Sequence, residues 1–81
     1  MLKKKVALKV YGRVQGVFFR DSTRKKAGEL GLSCLTENKP DGTVEIVAEG
    51  EEGDLEKLIE WCRAGGPEYA GVEKVDVEWP G

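Results

Sequence analysis

The hydrophobic period of this chain switches between two residues and about three and a half, and that alternation limits the fold more than any other feature. Val6, Leu8 and Val10 alternate with Ala7, Lys9 and Tyr11, the period of a half-buried strand. Over residues 21–30 the period becomes helical, with Thr23, Ala27 and Leu30 on one face and Arg24, Lys25, Lys26 and Glu29 elsewhere. Gly31 follows as a left-handed helix terminator. A second strand is predicted over 32–39, a turn at Pro40-Asp41-Gly42, and a third strand over 43–49, which makes a hairpin. Residues 50–53 break the pattern. Leu55, Leu58, Ile59 and Cys62 then form the apolar stripe of a second helix, which Gly65-Gly66-Pro67 ends. Val75, Val77 and Trp79 mark a last strand with an alternating core face. The order β-α-β-β-α-β is that of a ferredoxin-like α+β sandwich, an antiparallel sheet with two helices on one face.

Composition narrows the chemistry. With 81 residues the expectation is one domain, 1–81, and 40% hydrophobic and 35% charged residues describe a globular chain. No apolar run approaches bilayer length, so no membrane association is expected. Met1-Leu2-Lys3-Lys4-Lys5 is basic but is not followed by a signal-peptide core, so a cytoplasmic address is expected. A formal charge of -2 argues against nucleic-acid binding, which draws its affinity from phosphate neutralisation. The chain has no histidine, which removes the commonest general base and the Ser-His and Cys-His arrangements. Two distant cysteines, Cys34 and Cys62, do not make a zinc site, and the carboxylates, Asp41, Glu51 and Glu52 among them, suggest no metal site. Neither metal nor cofactor is therefore expected. Free thiols are expected over a Cys34–Cys62 disulfide. Chemistry must run on Arg, Lys, carboxylates, amides and backbone dipoles.

The segment with most chemical promise is Gly12-Arg13-Val14-Gln15-Gly16-Val17-Phe18-Phe19-Arg20, between the first strand and the first helix. Free N–H groups at a helix start, the helix dipole and glycines that let a ligand approach the backbone all favour an anion. Arg20 can offer a planar fork to two phosphate oxygens. The segment matches neither the G-x-x-x-x-G-K-[ST] nor the G-x-G-x-x-G nucleotide pattern. Glycines between a strand and a helix also serve plain turn geometry, and the spacing alone leaves both readings open.

That nine-residue segment resembles the signature of the acylphosphatase family. The similarity continues through Thr23, Ala27, Leu30, Gly31, Leu32, Asn38 and Pro40-Asp41-Gly42-Thr43-Val44, and resumes at Glu49-Gly50, Gly66-Pro67, Ala70, Val72 and Val75. The resemblance implies hydrolysis of the carboxyl–phosphate bond of acyl phosphates. It implies a phosphate cradle made by the backbone of Gln15, Gly16, Val17, Phe18 and Phe19, phosphate binding by Arg20, and an attacking water positioned by Asn38. An amide suits that last role, since its oxygen accepts from water while its nitrogen donates to phosphate. Arg13 is given no catalytic role. The sequence departs from the family pattern at Cys34-Leu35-Thr36, where Gly-Trp-Val is usual, which bears on substrate fit. It also ends soon after Trp79, where members usually continue into an edge segment, so an exposed sheet edge is expected.

The remaining residues read as structural. Phe18 and Phe19 are expected to anchor the loop in the core, and Trp61 and Trp79 to pack, while Arg24-Lys25-Lys26 is a solvated face. Cys62 is expected to be buried, with Cys34 placed toward the wet side. Glu51 and Glu52 are expected near the start of the second helix, where they complement its dipole. The competing function is a non-catalytic anion- or partner-binding module, like the acylphosphatase-like domain of larger carbamoyl-transfer proteins. Such domains sit in long chains with downstream zinc-binding cysteines. The expected partner is a small acyl phosphate, with a monomer as the working form.

Overall fold

The structure is a computed structural model that describes residues 3–68 and 70–80; the Met1-Leu2 part of the basic N-terminus and the terminal Gly81 lie outside the described residues. Its elements are β1 (Lys4–Arg13), α1 (Phe19–Glu29), β2 (Ser33–Asn38), β3 (Val44–Gly50), α2 (Glu52–Arg63) and β4 (Gly71–Glu78). The four strands form one antiparallel sheet in the order β2-β3-β1-β4, with the helices on one face. The fold is the ferredoxin-like α+β arrangement read from the hydrophobic period.

Register explains the core. Val6, Leu8 and Val10 of β1 stand opposite Ala48, Ile46 and Val44 of β3, and these six residues are buried. From above, Leu55, Leu58, Ile59 and Cys62 of α2 and Phe19, Thr23 and Ala27 of α1 close the layer. Cutting a fully buried leucine such as Leu58 to Ala would cost about 2–5 kcal/mol. The hydroxyl of Thr23 would be expensive in that layer, but it donates to the Phe19 carbonyl at 2.7 Å.

Two joints fix α1. At its end, Gly31 lies at φ 72, and the Leu32 and Gly31 amides donate to the carbonyls of Ala27 and Gly28 at 2.8 and 3.1 Å. This is a Schellman closure, with Leu32 and Ala27 supplying its buried apolar contact. At its start, the Phe19 ring packs 5.9 Å from the Trp61 ring of α2 and presses on Gly66, where a Cβ would come within 2.6 Å of the ring. Trp61 packs as the sequence suggests.

Several expectations change. Both β1 and α1 are longer than the sequence pattern indicates, and β1 runs to Arg13 across a register shift against β4 between Tyr11 and Gly12. Cys34 does not face the wet side. It pairs with Ala48 and packs half-buried beneath the helices, because strand parity puts Cys34, Thr36 and Asn38 on one face and Leu35 on the other. Trp79 is not core packing either, since β4 ends at Glu78 and the indole is 42% exposed. Cys34 and Cys62 are both free thiols.

Candidate active site

The sheet register delivers Asn38 to the site. As the last residue of β2 it pairs with Val44, which pairs with Val10, so Asn38 lies near the end of β1 from which the 14–18 loop departs. Arg20 sits in the first turn of α1, immediately beyond that loop. The two side chains line one cleft of about 290 Å³ together with Val14, Gly16, Phe18, Phe19 and Asp21.

The loop reaches this cleft through left-handed backbone at Gly16 (φ 75) and Phe18 (φ 60), the latter being the helix N-cap. Phe18 is the single non-glycine residue with positive φ among those described, a conformation that costs an L-residue about 1–2 kcal/mol. No side chain caps the helix, and its first turn closes only when the Ser22 amide donates to the Phe18 carbonyl at 3.0 Å. Among the described residues, no backbone hydrogen bond takes up the amides of residues 15–21. A run of free donors at the positive end of a helix dipole is what an oxyanion requires.

Charges around the cleft are arranged to leave Arg20 available. Arg24 forms an ion pair with the Asp21 carboxylate and also donates to the Thr36 hydroxyl at 2.9 Å, which ties α1 to β2 one alternation before Asn38. Among the described residues, Arg20 forms no ion pair with any carboxylate. The same residues hold no metal-binding group of His, Cys, Asp or Glu, and no helix long and apolar enough to cross a membrane.

The predicted loop residues divide. Gly16, Phe18, Phe19 and Arg20 line the cleft with Asn38, whereas Gln15 and Val17 do not. Val17 packs against the core. Gln15 turns its amide toward the β2–β3 turn, and its Nε2 donates to the carbonyls of Lys39 and Thr43 at 2.8 and 2.9 Å. The loop is thereby fastened to the residue that follows Asn38. Phe19 anchors the loop as expected, but Phe18 stands 76% exposed, because its left-handed backbone turns the ring away from the core.

The turn that carries Asn38 is itself braced. Asp41 accepts from the Thr43 hydroxyl at 2.6 Å and the Thr43 amide at 3.0 Å, and pairs with Lys9 at 3.1 Å. The Thr43 hydroxyl and amide, and then the Lys9 ammonium, hold the Asp41 carboxyl down at about 2. The Asp-Gly-Thr spacing signals this Asx-type turn, which sequence reading took only as a chain reversal. Nothing in the sequence reveals the Gln15 tie, since it depends on which way one side chain turns.

A loop of free amides at a helix start, an arginine that pairs with no carboxylate among the described residues and a carboxamide on the adjoining strand define a small α+β protein whose cleft has the donor chemistry that suits a compact oxyanion. Residues 6–81 match the acylphosphatase family model. An acylphosphatase of Rubrobacter xylanophilus is 56% identical over 75 residues, 93% of this chain and 67% of that one. A solved acylphosphatase from Coxiella burnetii superposes with a TM-score of 0.90 at 44% identity, over 96% of this chain and 81% of that one. HypF of T. kodakarensis has a region of the same shape, with a TM-score of 0.83 at 33% identity, covering 96% of this chain but 10% of that protein. The chain belongs to the acylphosphatase family.

Proposed function

We propose that this chain hydrolyses acyl phosphates to carboxylate and inorganic phosphate, with Arg20 and the 15–20 backbone binding the phosphoryl group and Asn38 positioning the water. The phosphoryl oxygens take hydrogen bonds from the loop amides and a charge-assisted fork from Arg20. The Asn38 side-chain carbonyl accepts a hydrogen bond from the water and orients the water oxygen at phosphorus. As the new P–O bond forms, the bond from phosphorus to the acyl oxygen breaks and its electron pair leaves on the carboxylate. The water's protons pass to phosphate and solvent. A carboxylate is a good leaving group and needs no general acid, so positioning and charge stabilisation suffice without histidine.

The observation that carries this reading is that Arg20 and Asn38, 18 positions apart in sequence, line one cleft beside unbonded amides. A carboxamide in the same cleft as the arginine supplies the acceptor that water positioning needs and that anion binding alone does not. The reading takes residues 1–81 as one catalytic domain that works as a metal-independent monomer in the cytoplasm. Free thiols at Cys34 and Cys62 are in keeping with a reducing compartment.

The test is benzoyl phosphate hydrolysis with EDTA present. Turnover that survives chelation and disappears in Arg20→Ala is expected; wild-type protein without turnover would remove the enzymatic reading.

A further inference from the structure

The phosphoryl end of a substrate is accounted for by amides and Arg20, but the acyl end must also rest on something. Of the cleft residues, Val14 and Phe19 are each 1% exposed and present almost no surface to a ligand. Gly16 has no side chain, and Arg20, Asp21 and Asn38 are polar. Asp21 is in addition held by Arg24. One exposed apolar residue remains among those that line the cleft, Phe18.

Folding stability gives no account of a phenylalanine there. Its ring is 76% exposed, so it gains little by burial, and its φ of 60 is one that glycine adopts far more readily. Phe18 lines the cleft, and the same backbone conformation that strains it keeps its ring out of the core.

Resting on the hydrolytic reading above, we infer that the Phe18 ring receives the acyl group and makes the enzyme selective for acyl phosphates with a flat or extended apolar acyl group. A benzoyl group stacks against the ring and covers its face, whereas an acetyl methyl covers little of it. A neutral apolar acyl group also avoids the Asp21 carboxylate on the same cleft.

The experiment compares kcat/KM for benzoyl phosphate and acetyl phosphate in wild-type protein, Phe18→Gly, Phe18→Asn and Phe18→Trp. Gly and Asn both accept left-handed backbone, so they remove the ring without adding strain. The benzoyl-to-acetyl ratio is expected to fall roughly tenfold in both, the size of effect that one apolar subsite contact supplies. It should be kept in Phe18→Trp, while Phe18→Gly melts at or above the wild-type temperature. A ratio unchanged in Phe18→Gly and Phe18→Asn overturns the inference alone, because a purely structural role would move both substrates together. Wild-type protein inert toward both substrates overturns the hydrolytic reading and this inference with it.

Discussion

The two helices start in opposite ways. α2 opens on Glu51 with Glu52 and Asp54 in its first turn, and the Glu51 carbonyl takes the Asp54 and Leu55 amides at 3.1 and 3.0 Å. Its own carboxylates meet the dipole, and Glu52 is paired with Lys4 at 2.6 Å. α1 opens on a strained Phe18 with no side-chain cap, and its first-turn carboxylate, Asp21, is tied up by Arg24. Neither helix has a side-chain cap; what differs is the charge at the start, carboxylates at α2 and, at α1, the loop amides beside an Arg20 that pairs with no carboxylate among the described residues. Positive charge alone does not mark a site here. The cleft of about 420 Å³ lined by Lys3, Lys4, Lys5, Glu52, Trp79 and Pro80 is the larger of the two. Its lysines are flexible point charges beside a carboxylate, and the helix near them carries Glu52 and Asp54 in its first turn, which disfavour an anion.

The greatest loss should follow removal of the fixed cation. Arg20→Ala is expected to lower kcat/KM by about 10³-fold or more and to abolish inhibition by inorganic phosphate. Steady-state kinetics with phosphate as inhibitor reads both; intact phosphate inhibition would move the binding role away from Arg20. Next is Asn38→Ala, expected to reduce kcat by about 10²–10³-fold with little change in phosphate inhibition. Near-normal turnover would remove the water-positioning role.

Gln15→Met keeps length and loses both donors to Lys39 and Thr43. A stability loss of about 1–2 kcal/mol and a fall of about tenfold in kcat are expected, measured by urea unfolding and turnover. If only stability changed, the tie would be structural and would not set the distance from loop to Asn38.

Asp41 gives a pH signature. Its carboxyl is held down at about 2, below the unfolded value near 3.8, so its contribution to stability is present above pH 4 and lost as the pH falls toward 2. Asp41→Asn should flatten that part of the stability profile; urea midpoints that drop equally in both proteins would contradict it. The smallest effect belongs to the other helix. The double change Glu51→Gln, Glu52→Gln should shift stability by less than about 1 kcal/mol and should not create a phosphate site at α2. Calorimetric titration with phosphate checks the second point.

Hydrophobic period carried the element order, because burial on one sheet face imposes it residue by residue. It placed Val6, Leu8 and Val10 and the Leu55–Cys62 stripe where the core has them. The pairing of Arg20 with Asn38 was legible only through resemblance, since nothing local joins positions so far apart. Phe18 and Phe19 show where sequence reasoning stops. They are adjacent and chemically identical, and one backbone torsion sends one ring inward and the other outward. Cys34 was misplaced for a related reason, because the parity of a short strand is set by its register with β3 and not by its own residues.

Amide chemical shifts under titration with inorganic phosphate test the loop most directly. Saturable shifts should be confined to the backbone of residues 15–21 and the Asn38 side chain, and should vanish in Arg20→Ala. Shifts centred on Lys3–Lys5 or on the start of α2, or no saturable shift at all, would contradict the account.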